Sequence, residues 1–328
     1  MDKVHFLKNF EDLYSHSKNL LKNTYKPHSK ILVKLHFGEP GNKTAFKPED
    51  VKPIIKALNE LKLEPTLIDS PVAYNSPRGT VEGYEQFAKQ KGFNKLAPCL
   101  ISNNGKRVEM KDIPIEVIKE LIEAENVLVL SHVKGHGCAG FGGAIKNLGM
   151  GGVTKESKSK IHGLCKPKFI KECQGCGTCA KLCPAHAIKM TDGKAEFDLN
   201  ACYGCSICEI ECPFKCLAPI KAIFDDLLAQ GAAAVINNFP ENTFYINVIK
   251  NITEGCDCQS NAGQILSDDI GVLLSKNPVA IDHASIDLIN KTNEKNIFLE
   301  HTHKDPLLHV EYAAKYTNWE EDYEIEEL

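Results

Sequence analysis

A chain of 328 residues, 43% of them hydrophobic and 25% charged, can bury a sizeable core; by length it suggests two domains, or one domain with an insertion. The net charge of −4 comes with no basic face and no interleaved aromatic stripe, which excludes nucleic acid as an expected partner, and no apolar run approaches membrane-spanning length. The first twenty residues mix both charge signs and lack the apolar core of a signal peptide, so the expected location is the cytoplasm.

In chain order, the first 132 residues alternate as βαβ units do. Ile31 to Phe37 reads as a strand, and Val51, Ile54, Ile55, Leu58 and Leu61 then recur at helical spacing. A short strand is expected over Thr66 to Asp69, helices over Gly79 to Lys91 and around Ile115 to Ala124, and a buried parallel strand over Asn126 to His132. Glycine crowds the stretch from Val133 to Gly163, which predicts loop with one short helix. Beyond Pro219 the alternation resumes: a helix over Ile220 to Ala229, strands over Ala232 to Phe239, Phe244 to Ile249 and Ile270 to Leu274, and a helix over Pro278 to Lys291. A last helix opens at Asp305-Pro306, an N-cap followed by proline. Six acidic residues between Glu320 and Glu327 make a solvated, poorly ordered end the expected reading.

Fourteen cysteines are too many for a neutral background, and eight fall in one 40-residue window. Cys173, Cys176, Cys179 and Cys183 precede Pro184, and Cys202, Cys205, Cys208 and Cys212 precede Pro213, so both runs read C-x2-C-x2-C-x3-C-P. That is the spacing of bacterial-type ferredoxins with two [4Fe–4S] clusters, in which the fourth cysteine of each run ligates the other cluster. The expected ligand sets are Cys173, Cys176, Cys179 and Cys212 for one cluster, and Cys202, Cys205, Cys208 and Cys183 for the other. A pair of zinc sites would leave the third spacing and the proline without a purpose. Between the runs, residues 187–190 and 195–198 flank Asp192-Gly193, a hairpin where ferredoxins carry one; after Pro213 no matching hairpin follows.

The expected architecture is α/β: a mostly parallel, open, Rossmann-like sheet body (residues 1–163 and 220–328) interrupted by a small α+β ferredoxin-type domain (residues 164–219). Two α/β domains flanking the insert remain the alternative. Four expected strands end in polar residues, at His36, Asp69, Ser131-His132 and Asn237, and ligands bind beyond the carboxyl ends of such strands. The loop from Lys134 to Gly151 adds glycine-rich backbone, Lys134 and Lys146, which suit an anion; it matches neither the P-loop nor a dinucleotide fingerprint. A tight structural loop packed against the insert is the competing reading. Cys256-Asp257-Cys258 offers two thiolates to a soft metal or two ordinary packed thiols. Cys138 beside His136 has the makings of a nucleophile; His162, Cys99, Cys165 and Cys216 read as structural.

The stretches LVKLHFGEPGN, SHVKGHGCAGFGGAIKNLGMG, EGCDC and DIGVLLSKNPVAIDHASIDL, in this order around a double ferredoxin motif, resemble the iron–sulfur-centre proteins of domain-of-unknown-function family 362. The resemblance spans nearly the whole chain. It implies a cytoplasmic prokaryotic protein with a ferredoxin insert in an α/β body, and no particular reaction.

The leading expectation is a redox protein whose clusters exchange electrons with a ligand in the crevice, the other party being a redox protein or a small-molecule electron donor or acceptor. His36, His132 and His136 are the proton-transfer candidates. Lys134 and Lys146 are the anion clamps, Gly142, Gly143 and Asn147 belong to the ligand cradle, and Glu39 and Asp69 orient the histidines or bind a metal. Two alternatives stand beside it: a metal- or cluster-handling protein using Cys256 and Cys258, and a plain electron carrier.

Overall fold

The computed structural model describes residues 2–328. Eight strands, β1 (Asp2–Leu7), β2 (Lys30–Lys34), β3 (Glu64–Asp69), β4 (Cys99–Ile101), β5 (Val127–His132), β6 (Phe244–Ile249), β7 (Gly271–Ser275) and β8 (Tyr323–Glu327), form one sheet in the order β8-β1-β7-β6-β5-β2-β3-β4. The five strands from β6 to β4 are mutually parallel; β7 alone runs against its neighbours. Because Phe244 in β6 pairs with Leu128 in β5, strands from either side of the cysteine-rich segment share one sheet.

The period-two alternation of β5 builds both layers. Leu128 and Leu130 pack on the face covered by α1 (Leu13–Leu21), α2 (Pro48–Glu60) and α3 (Val81–Lys91). Val127 and Val129 face α4 (Ala144–Gly151), α5 (Lys155–Leu164), α6 (Phe224–Ile236), α7 (Pro278–Asn293) and α8 (Leu308–Tyr316). A strand buried on both sides needs apolar residues in succession, and VLVL supplies them.

Several sequence expectations are corrected. Ile115 to Ile118 is a strand paired with Gly105–Val108, its helix shrinking to Lys119–Ile122: Ile115 and Val117 are β-branched and fully buried, and alternate with half-buried Glu116. Residues 232–236 continue α6 instead of starting a strand, so Asn237 sits at a helix end and three strand ends, not four, meet at the crevice. The glycine-rich stretch holds two full helices, α4 and α5, plus a short hairpin of Lys134–His136 with Gly140–Gly142. The acidic end is ordered as β8, which pairs with β1 and leaves its glutamates exposed; charged side chains on an edge strand discourage further pairing. Among the described residues no helix is long and apolar enough to cross a membrane.

The cysteine-rich segment forms a small lobe. Each three-cysteine run ends in a short helix, Thr178–Leu182 and Ile207–Ile210. Ile188–Thr191 and Lys194–Phe197 make an antiparallel hairpin turned by Asp192 and Gly193, both left-handed. Where a second hairpin was missing from the sequence, Leu217–Pro219 instead pairs antiparallel with Pro167–Phe169, so the entering and leaving chains clasp each other.

Candidate functional site

Two small cavities in the lobe are each framed by four cysteines. One is lined by Cys173, Cys176, Cys179 and Cys212, the other by Cys202, Cys205, Cys208 and Cys183. Each set takes three residues from one run and the fourth from the other, the crossing the spacing predicts. Cys216, read as structural, lies with its Sγ 3.4 Å from that of Cys212 and also lines the first cavity. Gly204 turns the loop between Cys202 and Cys205 at φ +66°, and a Cβ there would stand 2.3 Å from the His162 carbonyl oxygen. His162 in turn donates from Nδ1 to the Tyr203 carbonyl at 2.8 Å, tying α5 to this loop. A second tie is Lys304, a residue with no local sequence signal: its buried ammonium lies 2.5 Å from Asp225 Oδ2 and donates to the Cys205 carbonyl at 2.8 Å.

The carboxyl ends of β2, β3 and β5 deliver His36, Asp69 and His132 to one edge of the sheet. His36, His132, Lys134, Lys146 and Asn147 line one cavity of about 70 Å³. It adjoins a crevice of about 670 Å³ between body and lobe, lined by His36, His136, Lys146, Lys158, Cys202 and Cys258 among others.

The individual groups differ from their expected roles. Both nitrogens of His36 face donors, the Gly38 N–H and Arg78 Nη1, each at 3.0 Å. Burial, then Arg78 and the nearby lysines, hold its pKa well below the usual value, so His36 is an uncharged acceptor. His132 faces two acceptors, Asp257 Oδ2 at 2.8 Å and the Lys250 carbonyl at 2.7 Å, while its ring stacks on Phe46 at 4.4 Å. Through Asp257 it anchors the Cys256–Cys258 loop. Burial pushes the Asp257 carboxyl up, but His132 and then Lys134 outweigh that and hold it below the ordinary value. His136 Nδ1 accepts the N–H groups of Cys138 and Ala139 at 3.2 and 3.1 Å. Burial pushes the Cys138 thiol up, away from the thiolate that a nucleophile needs.

Lys134 lines the smaller cavity, yet its ammonium donates to the carbonyls of Thr44 (3.2 Å) and Asn251 and lies 3.8 Å from Asp257 Oδ1. It braces the loop instead of clamping an anion. Asn147 is likewise saturated, accepting from Lys34 at 2.6 Å and donating to the Leu130 carbonyl and Ser131 Oγ. The glycine cradle is already filled: Asp282 accepts the Ala144 and Ile145 N–H groups at 2.7 and 2.8 Å. This explains Gly143, where a Cβ would stand 2.3 Å from Asp282 Oδ1, while at Gly142 a Cβ would press on the Lys146 side chain at 3.0 Å. Glu39 and Asp69 belong to buried ion pairs, Glu39 with Arg78 and Asp69 with Lys34 (3.0 Å).

Lys146 is different. Among the described residues its ammonium has no hydrogen-bond partner, it lines both cavities, and burial brings its pKa down to about 8. A lysine of that pKa is partly neutral near pH 8, so an amine-acylating reagent at that pH should modify Lys146 ahead of exposed lysines, and this advantage should vanish near pH 6. Peptide mapping after partial acylation checks this; modification no faster than at Lys3 or Lys106 would contradict it. Lys158, missed in the sequence, is a brace like Lys134: its amine is held by Ser70 Oγ (2.7 Å) and the carbonyls of Ser70 (3.2 Å) and Pro71 (2.6 Å), and burial brings its pKa down to about 7.

A family model for a domain of unknown function, DUF362, matches residues 31–287. The chain belongs to this family. Similarity to curated proteins is confined to shorter segments. The chain is 36% identical over 67 residues to pyruvate synthase subunit PorD of Methanothermobacter marburgensis, a match covering 20% of this chain and 79% of that protein. It is 40% identical over 67 residues to a component of the ion-translocating oxidoreductase complex of Methanosarcina acetivorans, covering 18% of this chain and 25% of that one. An uncharacterized ferredoxin of Methanocaldococcus jannaschii matches at 31% identity over 61 residues, 18% of this chain and 37% of the ferredoxin. The DUF362 chain thus spans a quarter to a little over a third of two of these relatives. Among solved structures, a Thermotoga maritima protein superimposes with a TM-score of 0.50 at 10% identity, over 88% of this chain and 59% of that one. The lactate racemase apoprotein of Thermoanaerobacterium thermosaccharolyticum gives a TM-score of 0.36 at 12% identity, over 76% and 51%. The first of these likenesses concerns the fold alone.

Proposed function

We propose that this DUF362 protein is an iron–sulfur redox protein in which two [4Fe–4S] clusters, held by the crossed cysteine sets, exchange electrons with a ligand seated in the crevice. The donor chemistry fits: each lobe cavity is framed by four cysteines of the two runs, the thiolate set that such clusters require, with Cys216 a fifth in the first cavity. The observation that carries the reading is Cys202, which lines both the second cysteine cavity and the crevice. Bound there, the clusters would supply one-electron transfer. The chain's own residues supply the rest: Lys146 attracts an anionic ligand, and the His162–Tyr203 and Lys304–Cys205 contacts hold lobe and body in register. The similarity to members of redox complexes supports a redox partner protein. A crevice of about 670 Å³ weighs against a plain electron carrier, which needs none.

Anaerobically purified protein should contain about eight iron and eight acid-labile sulfide per chain, with broad absorption near ~400 nm that dithionite bleaches. Mass spectrometry of the small molecules released on denaturation should then identify the crevice ligand. Zinc without sulfide would sink the cluster assignment.

A further inference from the structure

Two sulfurs in the crevice have no task in the electron-transfer reading. Cys256 and Cys258 are joined in a disulfide, on a loop pinned through Asp257 to His132. Cys256 is buried, whereas Cys258 is half-buried and lines both the small cavity and the crevice. The Cys258 N–H donates to Cys256 Sγ at 3.3 Å. A ring nitrogen of His136 and the two sulfurs all lie within 4.8 Å of one another. Such a triad invites a metal, but Nδ1 of His136 already accepts two backbone N–H groups, which leaves the proton of the neutral ring on Nε2. The ring is therefore a hydrogen-bond donor toward its surroundings and poorly suited as a ligand.

We propose that Cys256–Cys258 is a redox-active disulfide that undergoes exchange with a small anionic thiol bound in the crevice. This rests on the reading that the crevice takes a ligand. An incoming thiolate attacks Cys258 Sγ, the sulfur open to the crevice. A new S–S bond forms, the Cys256–Cys258 bond breaks, and its electron pair moves to Cys256 Sγ. The Cys258 N–H stabilises the charge that develops there. A second thiolate attacks the mixed disulfide at the sulfur of the first, releasing the symmetrical disulfide. The two protons given up by the incoming thiols end on Cys256 and Cys258, so the protein disulfide is reduced by two electrons and the thiol is oxidised. Charge selects the substrate: Lys146 and Lys166 line the crevice, and its carboxylate, Asp69, is paired with Lys34.

The test uses the full-length protein under anaerobic conditions. In Cys256→Ser, Cys258 is left as a single thiol facing the crevice, and the variant is treated with anionic dithiodiglycolate or cationic cystamine before peptide mapping. A mixed disulfide should form at Cys258, about tenfold faster with the anionic reagent, and Lys146→Met in the same background should abolish that preference. In the unaltered protein, alkylation of Cys256 and Cys258 should appear after incubation with mercaptoacetate and not before. Equal rates with both reagents would overturn the charge selection, and a tightly held metal that protects both thiols from alkylation would overturn the exchange. Cys258 inert to both reagents in a protein that still releases a crevice ligand would sink the exchange while sparing the electron-transfer reading. A Cys258 adduct in protein lacking cluster iron would do the reverse.

Discussion

Replacing Cys183 with alanine should cost the protein about half its iron, and the loss should come from the cavity built by the other cysteine run. Cys183 lines the cavity of Cys202, Cys205 and Cys208, although it stands only four residues after Cys179. Paired substitutions separate the two sets. If Cys183 and Cys202 serve one site, Cys183→Ala with Cys202→Ala should lose no more iron than either change alone, whereas Cys183→Ala with Cys173→Ala should lose nearly all of it. Iron and sulfide analysis with electron paramagnetic resonance of the reduced variants reads this directly. The opposite pattern, additivity within the Cys183–Cys202 pair, would reverse the assignment.

Lys304→Met should destabilise the protein by about 3–5 kcal/mol, because it strands a buried carboxylate. Asp225 is fully buried, Lys304 nearly so, and the same ammonium also serves the Cys205 carbonyl. Burial raises the Asp225 pKa to about 6 from 3.8, with Lys304 opposing the rise. A carboxyl raised in the folded state burdens the fold while ionised and is relieved as pH falls through its folded pKa. Without Lys304 that pKa climbs further, so the deficit should be largest near pH ~8 and shrink toward pH ~5. Urea unfolding at both values checks the sign; a deficit that grows on acidification would contradict it. Pairing Lys304→Met with Asp225→Asn should recover much of the loss.

The sequence disclosed most where the chemistry is local. Within each run the cysteines sit two or three residues apart, so their spacing alone named the eight residues that frame the two lobe cavities. The sheet was legible from β2, β3 and β5, whose alternating or continuous apolar runs have one natural reading. Helix α6 was not: all thirteen of its residues are buried, and an apolar stretch such as Ala232 to Ile236 carries no helical stripe to distinguish it from a core strand. The glycine-rich stretch misled for a related reason. Gly149 lies inside α4 because a Cβ would press on the Leu228 carbonyl at 2.5 Å, a demand made by α6 and invisible locally. Around the crevice, histidine was overrated, and of the cations Lys134 and Lys146 were read while Lys34, Arg78 and Lys158 were not. Lys34 did leave a signal, a charge inside the apolar run of β2, whereas Arg78 and Lys158 lie in stretches that look like ordinary surface until the fold buries them.

The clasp of Pro167–Phe169 on Leu217–Pro219 bears on what happens when the metal is lost. Because entry and exit strands are hydrogen-bonded side by side, the folded lobe costs the body little more than a tight turn between α5 and α6. Should the lobe melt, that turn becomes a slack tether of roughly fifty residues, yet closure entropy grows only as the logarithm of length, about 0.6 kcal/mol for each doubling. From a turn of about four residues that is three to four doublings, about 2 kcal/mol, and the body would also lose the Lys304 contact to the Cys205 carbonyl and the packing of Ile207 in its core. Oxygen damage to the lobe should therefore weaken the body measurably and remove one wall of the crevice, which Lys166, Pro184, Cys202 and Tyr203 supply.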